Sequence, residues 1–133
     1  MTTTSNGQIL IVDDEPINLE ILIEILEDDY DITVALDGAQ AIELARDTRP
    51  DLILLDVMMP GMNGYEVCAH LKQYSETNEI PVIFVTGLGE KQAETKWSDA
   101  GAVDYVTKPI SPPTVRCCVA NHLELKKDRN RSS

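Results

Sequence analysis

Apolar residues along the chain fall into short dense runs, separated by longer stretches in which they return every three or four positions. "QILIVDD" is the clearest run: continuous, rich in β-branched residues, and stopped by two aspartates. Hydrophobicity without alternation describes a strand covered on both faces, as in a parallel sheet. "DITVAL", "DLILLD", "PVIFVTG" and "AVDYVTKP" read as four further strands, ending near Leu36, Asp56, Thr86 and Lys108-Pro109. The intervening stretches carry helical spacing. Pro16 opens the first helix, with Ile17, Ile21, Leu22 and Ile25 as its inner stripe and Glu20, Glu24 and Glu27 facing elsewhere. Asp37 caps a second helix reaching Arg46, and a third spans about 64–74 with Val67, Cys68 and Leu71 inward. A weaker helix over 90–100 is closed by Gly101. Ser111 caps the last, which begins at Pro112-Pro113 and turns Val115, Cys118, Val119 and Leu123 inward. Five strand–helix repeats predict an α/β fold with a parallel sheet and helices on both faces. Residues 1–7 read as a polar arm, 8–124 as the domain, and 125–133 as a frayed polar tail or cut linker.

Composition narrows the function classes. A length of 133 residues suits one domain with a sizeable core. The net charge of −12 argues against a nucleic-acid surface, which needs clustered Lys and Arg, and favours a divalent cation or a basic partner. Three cysteines (Cys68, Cys117 and Cys118) are too few and too oddly spaced for a disulfide framework or a zinc site. They are expected to be small, mostly buried packing residues in a reducing cytoplasm. With no charged-then-apolar leader and no run of membrane-spanning length, the chain reads as soluble and cytosolic.

Parallel α/β sheets place their chemistry beyond the carboxyl ends of the strands. Those ends carry Asp13 and Asp14, Asp56, Thr86 and Lys108. Each has an ordinary explanation alone: helix-start acids, a loop cap, a β-forming threonine, a solvated lysine. Together they form a crowd of carboxylates that needs a cation among them, and Mg²⁺ suits such oxygen ligands. Mg²⁺, the Lys108 ammonium and the Thr86 hydroxyl could embrace a phosphoryl group, with Asp56 as the nucleophile that accepts it.

"ILIVDDEP", "DLILLDVMMPGMNGYE", "PVIFVTG" and "GAVDYVTKP", in this order across residues 8–123, resemble the receiver domain of two-component response regulators. The resemblance implies a flavodoxin-like (βα)5 sandwich of strand order 2-1-3-4-5. It implies that Asp56 is the phosphoacceptor, charged by a sensor histidine kinase or a histidine phosphotransfer protein. Asp13, Asp14, Asp56 and the backbone carbonyl of Met58 would hold Mg²⁺, with Mn²⁺ as a substitute. Lys108 would contact the phosphate and be joined to Pro109 by a cis bond. Thr86 and Tyr105 would form the switch pair, passing the signal to an output domain or partner, or to a second copy, across the face of the fourth helix, fifth strand and fifth helix.

Several details depart from or extend that pattern. Gly87 follows Thr86 where alanine is frequent in the family, leaving the phosphoryl site more open. Met58 and Leu88 place apolar side chains where a polar one would orient water, so a long-lived acyl phosphate is expected. Trp97 falls on the output face, and His70 and His122 are expected on helix surfaces away from other ligands. The ending "KPISPPTVRCCVANHLELKKDRN" resembles receivers that continue into a cyclic-di-GMP enzyme domain, notably HD-GYP phosphodiesterases, which leaves open an excised or a stand-alone receiver. Two rival classes remain for comparison. A haloacid-dehalogenase-type phosphohydrolase would want an Asp at position 58, where Met stands; a flavodoxin-like flavin binder would want a Ser/Thr/Gly loop where "DDEP" stands.

Overall fold

The structure, a computed structural model, describes residues 7–87 and 99–131, with the side chains of the last helix described to Lys126. The elements run β1 (Gln8–Val12), α1 (Pro16–Leu26), β2 (Asp31–Ala35), α2 (Gly38–Thr48), β3 (Leu52–Asp56), α3 (Gly64–Lys72), β4 (Val82–Thr86), β5 (Asp104–Thr107) and a C-terminal helix (Pro112–Arg131). The helix expected over 90–100 lies almost wholly outside the described residues, as do Leu88 and Trp97. Gly101, expected to close it, has the positive φ of 98° that favours glycine.

The five strands form one parallel sheet of order β2-β1-β3-β4-β5, the flavodoxin-like arrangement. Because successive side chains point to opposite faces, the unbroken apolar runs supply two cores at once. Leu10, Val12, Ile53, Leu55, Val82 and Phe84 meet Ala41 and Ala45 of α2 and Val67, Cys68 and Leu71 of α3. Ile9, Ile11, Leu52, Leu54, Ile83 and Val85 meet α1 and the C-terminal helix. Each buried aliphatic side chain contributes about 1.5–3 kcal/mol, so the central strands cannot easily slip register. Register then aligns the strand ends, pairing Val12 with Leu55, Asp56 with Val85 and Thr86 with Thr107.

The inner face of α1 is not the expected one. Leu19, Leu22, Ile25 and Leu26 are buried, whereas Ile17 is 68% and Ile21 39% exposed. Two helical stripes overlap in this helix, sharing Leu22 and Ile25, and periodicity alone does not choose between them. On the C-terminal helix Val115, Val119 and Leu123 are buried as expected, and Cys118 is half-buried. That helix continues through Arg131, into the segment read as a frayed tail or a cut linker. Cys117 is exposed rather than buried, and all three cysteines are free. Among the described residues, no helix is long and apolar enough to cross a membrane.

Candidate functional site

The aligned strand ends bring the expected residues together. Asp13 follows β1 and Asp56 ends β3; both side chains are almost fully buried. Their ligand oxygens, with one from the more accessible Asp14, lie within 4.8 Å of one another. Lys108, just beyond β5, reaches across β4, placing its Nζ 3.3 Å from Asp56 Oδ1 and 3.9 Å from Asp13 Oδ2. Its main-chain N–H donates to the Thr86 carbonyl at 2.6 Å, which fixes where the side chain starts. The Lys108–Pro109 bond is cis, as expected.

The electrostatics are those of an underneutralised acid cluster. Burial, then the charge of Asp13, pushes Asp56 up to about 6, against the pull of Lys108 and a main-chain hydrogen bond from Met58. Asp13 is raised by burial too, although the Glu15 N–H, at 2.9 Å from its Oδ1, and Lys108 favour its ionised form. One oxygen of each acid, Asp13 Oδ2 and Asp56 Oδ2, is buried without a hydrogen-bond partner. Such oxygens are rare in native proteins, and a hard divalent cation is the group that three adjacent carboxylates fit.

The loop after Asp56 is tightly built. Gly64 donates its N–H to the Val57 carbonyl at 3.0 Å. A Cβ at Gly64 would stand 2.5 Å from the backbone oxygen of Asp56 and 2.9 Å from Val57 Cα, so only glycine fits. Gly61 turns the chain with a φ of 77°. Asn63 then starts α3 with a reciprocal cap: its Oδ1 accepts from the Glu66 N–H at 3.0 Å, and its own N–H donates to Glu66 Oε1 at 2.9 Å. The N-x-x-E spacing was the available signal for this cap. The Met58 side chain is 65% exposed, beside the site rather than in the core.

Thr86 is buried at the end of β4, and Tyr105 is half-buried on β5. Tyr105 pairs with Phe84, so Thr86, two residues beyond Phe84, lies on the same face of the sheet. One expectation fails nearby. His122 does sit among other potential ligands: its Nε2 is 3.0 Å from Asp104 Oδ2, and Cys118 Sγ donates to that same oxygen at 3.4 Å. The cysteine spacing hid this grouping because Asp104 is supplied by a strand and the other two by a helix. Burial raises Asp104, but hydrogen bonds from His122, the Tyr105 N–H and Cys118 outweigh it and leave it below the ordinary value. The Cys118 thiol is pushed up to about 12 by burial and by that carboxylate.

Comparison with known proteins gives one result throughout. Residues 9–119 match the family model described as response regulator receiver domain. A Vibrio cholerae serotype O1 protein named "Probable cyclic di-GMP phosphodiesterase" is 41% identical over 130 residues, covering 98% of this chain and 30% of its own length. This chain therefore spans less than a third of that relative. Among solved structures, the receiver domain of a Syntrophus aciditrophicus signal transduction histidine kinase is 38% identical with a TM-score of 0.81, covering 89% of this chain and 90% of that one. The receiver domain of a Pseudomonas aeruginosa PAO1 sensor histidine kinase, solved with magnesium coordinated in its active-site cleft, has a TM-score of 0.82 at 26% identity. That match covers 89% of this chain and 98% of the other.

Proposed function

This chain belongs to the response regulator receiver domain family, and from that premise we propose that Asp56 is its phosphoacceptor, in a site completed by Asp13, Asp14, Thr86 and Lys108. One observation carries the reading: a carboxylate held at a strand end, 2% exposed and poised near neutral pH, with an ammonium 3.3 Å from one oxygen and no partner for the other. A carboxylate oxygen of Asp56 attacks the phosphorus of a phosphohistidine; the P–N bond breaks, and the imidazole leaves with the bonding electrons. Lys108 offsets negative charge on the transferring oxygens, where electrostatic stabilisation matters most.

Asp13, Asp14, Asp56 and the Met58 backbone carbonyl would hold Mg²⁺, or Mn²⁺ in its place. Bound there, the cation would offset the charge of the acids and supply Lewis-acid stabilisation to the transferring group. The Thr86 hydroxyl then turns toward the phosphoryl group and Tyr105 follows inward, altering the surface around β5 for an output domain, a partner or a second copy. The donor is a sensor histidine kinase or a histidine phosphotransfer protein, which suits a cytoplasmic chain with free thiols. Likeness to the V. cholerae protein over nearly the whole chain supports an output acting on cyclic di-GMP, in the manner of HD-GYP regulators.

The test is intact mass after incubation with Mg²⁺ and a small acyl-phosphate donor. One added phosphoryl group is expected for the wild type and none for Asp56→Ala. No gain in the wild type, or equal gain in both, would refute the assignment. The exposed apolar Met58 side chain leaves attacking water unoriented, so Met58→Asn is expected to shorten the phosphoryl lifetime. An unchanged decay rate would remove Met58 from that role.

A further inference from the structure

The grouping of Asp104, Cys118 and His122 lies on the strand that carries Tyr105, outside the strand-end acids, and nothing in the phosphoacceptor reading uses it. We propose that these three side chains form a second metal site, suited to a borderline divalent transition ion and to Zn²⁺ first. Three observations support it. The donor set is one thiol, one imidazole and one carboxylate, a combination that Mg²⁺ and Ca²⁺ disfavour and Zn²⁺ accepts.

The spacing is the second. All three ligand atoms lie within 4.8 Å of one another, with Cys118 Sγ at 3.4 Å and His122 Nε2 at 3.0 Å from Asp104 Oδ2. Tetrahedral zinc with bonds of about 2.3 Å to sulfur and about 2.0 Å to nitrogen and oxygen has S···O and N···O edges of roughly 3.5 and 3.3 Å. The two edges that meet at Asp104 Oδ2 are thus within a few tenths of an ångström of those a bound ion requires. Cys118 and His122 stand one helical turn apart on the same face, so the helix holds two of the ligands in register.

The third is the support behind the ligands. Asp104 Oδ1 accepts the Tyr105 main-chain N–H at 2.8 Å, which aims the other oxygen at the helix, as outer hydrogen bonds aim ligands in metal sites. The side chain of Asp104 is 40% exposed and that of His122 13%, so the site opens to solvent on one side and is walled on the other. Three protein ligands leave a fourth position for water or for a group from a partner. On binding, Cys118 gives its proton to solvent and ligates as the thiolate, and His122 ligates through the lone pair of its Nε2.

The competing explanation is a plain ion pair fastening β5 to the C-terminal helix, and a spectroscopic titration separates the two. Co²⁺ is added to the reduced protein in excess Mg²⁺, which occupies the strand-end acids, and the thiolate-to-cobalt charge-transfer band is followed. A band saturating at one equivalent and abolished by added Zn²⁺ is expected. It should vanish in Cys118→Ser and persist in Cys117→Ser. Losing an outer partner already weakens metal sites by roughly 10–100-fold, so His122→Gln and Asp104→Asn are each expected to weaken binding at least tenfold. Circular dichroism of each variant confirms that the fold is retained. Absence of the band in the wild type, or its survival in Cys118→Ser, would overturn the proposal.

Discussion

Two loops deliver acids to the same site and are built in opposite ways. The loop from β3 to α3 is packed to the limit: Gly64 lies against the Asp56 backbone, and α3 opens with a reciprocal Asn63–Glu66 cap. The loop from β1 to α1 is lightly held. Its helix starts at Pro16 behind Glu15, whose side chain makes no cap, and the following turns leave Ile17 and Ile21 exposed. The loop behind Asp56, the proposed nucleophile, is thus fixed by contacts that tolerate almost no change, whereas the loop behind Asp13 and Asp14 leaves the helix start without a side-chain cap and apolar surface unused. Positioning matters more for the atom proposed to make the covalent bond than for charges that only need to be near.

Four substitutions test that contrast, from the largest effect to the smallest. Gly64→Ala should cost about 3 kcal/mol in urea unfolding, at the upper end for overpacking, because the added Cβ meets backbone at 2.5 Å rather than a movable side chain. A cost below about 1 kcal/mol would show that the loop has slack. Next, Asp56→Asn should stabilise the metal-free protein by roughly 1–3 kcal/mol above pH 6. The sign follows from the folded-state value of about 6 against 3.8. Between them the native state holds the proton more tightly, so native stability falls as pH rises through that window and the full penalty applies above it. Thermal midpoints of both proteins near pH 4 and pH 7.5, with chelator present, should converge at the lower value. Equal midpoints at both would contradict the charge crowding.

Asn63→Ala should cost about 1 kcal/mol by removing the cap. The reverse experiment on the other loop, Glu15→Ser, supplies a missing cap and should gain about 0.5–1 kcal/mol in the same assay. If both changes proved neutral, the loops would not differ in the way their hydrogen bonds suggest.

Much of this was legible in the residue pattern, for a physical reason. Strands buried on both faces have nowhere to hide polar residues except at their ends, so "ILIVDD" and "DLILLD" pointed to the sheet edge where the candidate site lies, and the structure supplied the register. Lys108 was legible in the same way, as the charge that follows the run ending β5. What stayed hidden depended on contacts between elements distant in sequence. The sheet chose Leu19 and Leu26 over Ile17 and Ile21, a choice that spacing does not encode. Gly64 could be read as a turn residue, but its approach to the Asp56 carbonyl exists only once α3 has docked. His122 had Cys118 one turn before it in plain view, while its partner Asp104 waited on β5, 18 residues away.

Drawn as a graph, the strand ends have one node of unusual degree. Lys108 follows β5, its main-chain N–H is tied to the end of β4, and its ammonium touches the acids that close β3 and β1. Four of the five strand ends therefore meet at a single residue, and the fifth, β2, joins through Asp13, whose main-chain N–H donates to the Ala35 carbonyl at 3.2 Å. Removing one acid deletes one of the two side-chain ion pairs of Lys108; removing the Lys108 side chain deletes both at once. The ammonium that meets Asp56 thus belongs to the residue whose main-chain N–H is bonded to Thr86, so one side chain's length separates the buried acid from the end of β4.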